Sequence, residues 1–235
     1  MTKGRPDRAA GAAARISTPQ HRGHPYRIGG DQDGAGGLPA GPRVPGKEVE
    51  QRHIDVLRRV KDTVTIPVAV KLSPHFSSPS EMVQRLDEAG ADALVLFNRF
   101  LQPDIDPEQL AVVPDVTLSG RGDARLPRTW IALLRGRVRA ALAATSGVET
   151  PGDVAAYLLA GADVVMTASA LLRHGPQHAA VLLDGLSSWM TRKGFRAVGE
   201  FRRMLAVPAG DEAAYERAGY VTALRAANAG PYAPW

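Results

Sequence analysis

The 235-residue chain contains no cysteine. Disulfides, thiolate metal ligation and a cysteine nucleophile are therefore excluded within it, and no metal site is assigned. That absence suits a cytoplasmic setting. No apolar run approaches the roughly 20 residues that cross a bilayer, so no membrane partner is expected. The first residues also lack the apolar core of a secretory signal. Acidic residues are scarce up to residue 46, where Asp7, Asp31 and Asp33 face Lys3, Arg5, Arg8, Arg15, Arg22, Arg27 and Arg43. This segment holds most of the formal net charge of +5. The rest is nearly neutral, which argues against a nucleic-acid-binding face on the folded part.

Large apolar residues are equally scarce in residues 1–46, which are rich in Gly, Pro, Arg and Ala and show no sustained period. Such a segment buries too little surface to offset its chain entropy, and the expectation is a disordered or irregular arm. A basic phosphate-binding arm is one alternative. A misread or frameshifted stretch of a GC-rich gene is another.

What is present begins at Lys47. The stretch "KEVEQRHIDVLRRVKDT" places Val49, Ile54, Val56, Leu57 and Val60 near one helical face. A strand-like run at 66–71 follows, ending in Lys71. "SPSEMVQRLDEAGA" reads as a capped helix, with Ser78 as cap, Pro79 in the first turn and Gly90 as stop. "DALVLFN" is a short, wholly apolar strand of the kind covered on both faces in parallel sheets. "RLPRTWIALLRGRVRAAL" reads as helix and "LAATSG" as a strand giving way to a turn. "TPGDVAAYLLAGA" repeats the capped-helix formula with Thr150, Pro151 and Gly161, and "DVVMTAS" is another buried strand. Two further helical stretches follow, "GPQHAAVLLDGLSSWMTRKG" and "VGEFRRML". The repeated "AGAD" at 89–92 and 160–163 marks two equivalent helix-to-strand junctions. About four β/α units result, an α/β fold with a parallel sheet.

Ligands of such folds bind at the carboxyl ends of the strands. Read in order, those ends carry Lys71, Asn98, Ser146-Gly147 and Ala168-Ser169. A cation and an amide can orient a flat polar ligand, while small-residue turns let main-chain N–H groups approach a phosphate. From spacing alone the pattern is also that of ordinary β/α loops. His75 reads as an exposed loop residue, His174 and His178 as helix-end surface residues, and Trp189 as core.

"IPVAVKLSP", "GADALVLFNRF", "AATSGVETPGDVAAYLLAGADVVMTASALL" and "HGP" together resemble the C-terminal half of the dihydroorotate dehydrogenase family, most of all its bacterial dihydroorotate dehydrogenase-like branch. The resemblance covers roughly residues 47–205. It implies half of an FMN-dependent TIM (β/α)8 barrel that oxidises a dihydropyrimidine to the pyrimidine in pyrimidine biosynthesis. Carried over, Lys71 resembles the lysine beside the flavin ring and Asn98 a substrate-binding asparagine. Ser146 and Gly147 fall on a glycine pair that holds the FMN phosphate, and Ala168 and Ser169 on a Gly-Thr pair. Gly120, in "LSG", resembles a further flavin-contacting glycine. Both phosphate positions depart from the glycine pattern.

A whole barrel needs about eight strands and ~250 residues. The family's catalytic base, a Cys or Ser, belongs to the other half, so no catalytic residue is assigned and a truncated chain is expected. The expected organisation is an irregular segment over 1–46, a half barrel over 47–205 and a tail over 206–235. The exposed edges of a half barrel favour homo-oligomers. A catalytically inactive remnant that binds a phosphate-bearing ligand, or self-associates, is the alternative to the enzyme.

Overall fold

The computed structural model describes residues 14–17, 44–98, 104–113, 117–211 and 219–226. Five parallel strands form one sheet: β1 (Ala14–Ser17), β2 (Val68–Leu72), β3 (Ala93–Leu96), β6 (Ala141–Ala144) and β7 (Val164–Val165), adjacent in that order. A separate antiparallel hairpin joins β4 (Asp104–Asp106) to β5 (Ala111–Val113). The helices are α1 (Gly46–Thr63), α2 (Pro79–Glu88), α3 (Arg125–Leu134), α4 (Pro151–Ala160), α5 (Ser169–His174), α6 (His178–Lys193) and α7 (Val198–Phe201). The alternation of β2, β3, β6 and β7 with helices is the expected run of parallel β/α units. Of the segment 1–46, the described parts are β1 and residues 44–46, where α1 begins; the remainder lies outside the described residues. No helix among the described residues is long and apolar enough to cross a membrane.

Local chemistry sets the helix ends. The Ser78 hydroxyl accepts from the Glu81 N–H at 3.4 Å, and Pro79 opens α2. Thr150 and Asp153 form a reciprocal capping box at the start of α4. The two helices are followed by Gly90 and Gly161, both with positive φ. In α1, Ile54 and Leu57 are buried and Val60 packs against them, whereas Val56 turns outward at 44% exposure. Trp189 joins Phe195 and Phe201 in an aromatic group beneath α6, with Trp189 edge-on to Phe201 at 5.0 Å.

The helix expected over 125–142 stops at Leu134, and the reason is tertiary. The buried Asp87 carboxylate, at the end of α2, accepts from the N–H groups of Arg139 (3.0 Å) and Ala140 (2.7 Å). The Ala141 N–H goes to the Asp92 carbonyl at 3.0 Å. These bonds draw residues 139–141 out of a helix that their own propensity favours. The hairpin β4–β5 carries no alternating apolar face that would have announced it. Ile105, Leu110 and Val112 are all exposed.

The two "AGAD" junctions are built alike. Asp92, at the start of β3, accepts from the Val68 N–H across the sheet at 2.6 Å and pairs with Lys61 of α1 at 2.7 Å. Asp163, at the start of β7, accepts from the Leu142 N–H at 2.9 Å and pairs with Arg135, just past α3, at 2.5 Å. Each carboxylate thus pins the beginning of the preceding strand and the end of the helix that leads into it.

Burial pushes the Asp163 carboxyl up, but the Leu142 N–H and the guanidinium groups of Arg135 and Arg202 outweigh it and hold it below the usual range. A carboxyl whose pKa is lowered on folding stabilises the fold above its unfolded value and loses that contribution as pH falls through the folded one. Asp163→Asn is therefore expected to lower stability by about 2 kcal/mol at neutral pH. The gap to the unsubstituted chain should close as pH falls below about 4. Urea unfolding at both pH values checks this, and coincident curves at neutral pH would contradict it.

Candidate functional site

The burial of β2 alternates, with Val68, Val70 and Leu72 buried and Ala69 and Lys71 less so. Lys71 is therefore the penultimate residue of its strand rather than the last, and it lies on the face opposite the Val70–Leu72 core. Register places it beside Val95 of β3, and the Asn98 N–H donates to the Leu72 carbonyl at 2.5 Å. Lysine and asparagine consequently meet at the carboxyl edge of the sheet. A cleft of about 180 Å³ opens there, lined by Lys71, Asn98, Ser119, the turn 145–148 and residues 166–169, with Phe97 at its wall.

The turn after β6 is built from Ser146 at φ 82° and Gly147 at φ 67°. Ser146 thus adopts a left-handed backbone that glycine holds without strain. Gly147 is required by space as well: a Cβ there would lie 2.6 Å from the Ala124 nitrogen and 2.7 Å from the Gly120 oxygen. Tyr157, fully buried on α4, donates its hydroxyl to the carbonyls of Ser146 (2.7 Å) and Thr145 (3.2 Å). Because a trans peptide points its N–H opposite its carbonyl, this bond turns the Ser146 N–H away from α4. Burial also raises the Tyr157 phenol above its usual value, so it remains a donor.

The Gly147 N–H is not offered to the cleft. It donates to the hydroxyl of the buried Ser119 at 3.2 Å. The Ser119 hydroxyl and N–H both reach the Ser169 hydroxyl, at 2.9 and 3.0 Å. The Thr167 hydroxyl donates to the Val148 carbonyl at 2.9 Å and ties the last two loops together. Beneath them, burial pushes Asp153 up, but hydrogen bonds from Thr150 and Glu149 and the charge of Arg121 hold it ionised below its usual value.

Six of the seven residues singled out in the sequence, Lys71, Asn98, Ser146, Gly147, Ala168 and Ser169, line this one cleft. Gly120 does not. Its N–H is taken by the Asp123 carboxylate at 2.8 Å, and its carbonyl packs against Gly147. The neighbouring Ser119 lines the cleft instead. Ser119 and Tyr157 were missed in the sequence. "LSG" draws the eye to its glycine, and a tyrosine in an Ala/Leu-rich helix looks like packing, although a buried phenol needs a partner. His75 is exposed and its N–H is held by the Ser73 hydroxyl. His174 contacts Glu149 outside the cleft.

Comparison with known proteins agrees with this arrangement. The sequence model of the dihydroorotate dehydrogenase family matches residues 40–190. The catalytic subunit of dihydroorotate dehydrogenase B (NAD(+)) from Methanothermobacter thermautotrophicus is 28% identical over 150 residues, 62% of this chain and 49% of that one. Its counterpart from Halalkalibacterium halodurans is 30% identical over 146 residues, 61% of this chain and 48% of that one. Dihydroorotate dehydrogenase A (fumarate) from Lactococcus lactis subsp. lactis is 25% identical over 178 residues, covering 70% and 57%. The chain spans about half the length of these curated relatives. A crystal structure of a dihydroorotate dehydrogenase from Eimeria tenella in complex with ferulenol aligns at 22% identity with a TM-score of 0.47, covering 60% of this chain and 38% of that one. With the family model spanning most of the β/α units that build the cleft, the chain belongs to the dihydroorotate dehydrogenase family, and its parallel sheet is part of that family's TIM barrel.

Proposed function

We propose that this chain is an FMN-dependent oxidoreductase of the dihydroorotate dehydrogenase type, which oxidises a dihydropyrimidine to the conjugated pyrimidine in pyrimidine biosynthesis. The observation that carries the reading is the convergence of Lys71, Asn98, the Ser146–Gly147 turn and Ser169 in one cleft at the carboxyl edge of the sheet. The donor set fits the phosphate end of FMN. The left-handed turn at 146–147 allows close main-chain approach, and the Ser169 hydroxyl lies on the opposite wall. At about 180 Å³ the cleft is smaller than the roughly 300–1,000 Å³ of a complete small-molecule site, so it suits one end of such a ligand rather than the whole.

When bound, the flavin supplies a hydride acceptor. Lys71 favours the electron-rich reduced ring by its charge, and Asn98 offers an amide that both donates to and accepts from a pyrimidine edge. No cleft residue is assigned the proton-abstracting role. The small cleft gives weight to a second reading, a half barrel that binds a phosphate-bearing ligand without catalysis, or self-associates along an edge where Val164 is half exposed. Oxidation of dihydroorotate by this chain favours the first reading, and flavin binding without oxidation favours the second.

Two measurements test the proposal. Titration with FMN, followed by flavin fluorescence, is expected to saturate and to be reversed by inorganic phosphate; no saturable binding would contradict it. In Lys71→Ala the bound flavin should become harder to reduce by about 30 mV, equivalent to tenfold in a two-electron equilibrium, with little change in unfolding. An unchanged potential would remove the role given to Lys71.

The turn itself is tested by opposite substitutions. Gly147→Ala should lower stability by about 3 kcal/mol through overpacking and strain. Ser146→Gly should raise it by up to about 1 kcal/mol by relieving the left-handed serine. Thermal unfolding of both variants reads the difference, and equal effects would show that the turn is relaxed.

A further inference from the structure

Ser119 connects elements far apart in the chain. Its side chain is buried at the base of the cleft, between the turn after β6 and the start of α5. The hydrogen bonds there run in one direction. The Gly147 N–H donates to the Ser119 hydroxyl (3.2 Å), which donates to the Ser169 hydroxyl (2.9 Å). Ser169 also accepts the Ser119 N–H at 3.0 Å. A hydroxyl has two acceptor sites and one proton. With both acceptor sites of Ser169 filled, what remains is its proton, on a residue that lines the cleft.

We propose that Ser119 is a positioning residue that commits the Ser169 hydroxyl to donating, so that this end of the cleft selects an acceptor-only oxyanion such as the phosphate of FMN. The inference rests on the flavin reading above and adds to it the source of phosphate selectivity. Each donor in the relay polarises the next, which strengthens the final bond to an anion. A group needing an acceptor at Ser169 finds none.

The relay has its own anchor. Arg173, one helical turn beyond Ser169 on α5, donates to the Ser119 carbonyl from one terminal nitrogen and to the Leu118 carbonyl from the other, both at 2.9 Å. Its guanidinium stands 3.7 Å from the Glu149 carboxylate. The helix that supplies Ser169 therefore also grips the loop that supplies Ser119, and the two hydroxyls keep a fixed separation.

The test compares FMN with riboflavin, which carries the same ring without the phosphate. The unsubstituted chain is expected to bind FMN at least about tenfold more tightly, the order of a charge-assisted hydrogen bond. Ser119→Ala should weaken FMN by about tenfold while leaving riboflavin unchanged, and Ser119→Thr, which keeps the hydroxyl, should restore most of the preference. No preference in the unsubstituted chain would sink the flavin reading itself. A normal preference that persists in Ser119→Ala, or a parallel loss of both ligands, would overturn the positioning role alone. Should Ser119→Ala not fold, Arg173→Ala frees the loop without touching a relay hydroxyl. An FMN-to-riboflavin ratio unchanged in that variant would equally overturn the proposal.

Discussion

Register in the parallel sheet is held from its amino-terminal edge by carboxylates that reach across to neighbouring strands. Asp92 takes the Val68 N–H of β2, Asp163 the Leu142 N–H of β6, and Asp87 the N–H groups of Arg139 and Ala140 that lead into β6. A strand that slips by one residue exchanges its two faces. For β2 that exchange would drive the Lys71 ammonium into the core and bring Val70 or Leu72 to the cleft. Conservation of charge at this edge is thus a matter of stability, while chemistry belongs to the other edge, the division expected of β/α barrels.

At the carboxyl edge the governing constraint is the allocation of hydrogen-bond partners. Tyr157 takes the carbonyls of residues 145 and 146, and Ser119 takes the Gly147 N–H. The turn could have offered all of its polar groups to a ligand. Most are instead spent on holding its shape, and the Ser146 N–H and the Ser169 proton face the cleft. Departure from a glycine pair at 146–147 does not abolish the left-handed backbone; it loads that backbone with strain at Ser146.

Much of this was legible in the sequence because it is written in local chemistry. Ser78, Pro79, Thr150 and Pro151 mark helix starts by capping and by fixed φ, and apolar runs such as "ALVL" mark strands covered on both faces. Strand ends then named six of the cleft residues. What stayed hidden depends on partners distant in the chain. The end of α3 is decided by Asp87, some fifty residues earlier, and the part played by Ser119 by Ser169, fifty residues later. Gly120 was chosen where its neighbour faces the cleft, because a glycine signals close approach without saying to what. Here the close approach is to Gly147.

Residue-resolved amide hydrogen exchange, with and without FMN, tests the central claim most directly. The account predicts that the Gly147 amide is already protected in the free chain by Ser119, and that FMN adds protection at Ser146 and Ser169 while Gly147 changes little. Rapid exchange of Gly147 in the free chain, or ligand-induced protection confined to residues outside the cleft, would contradict it.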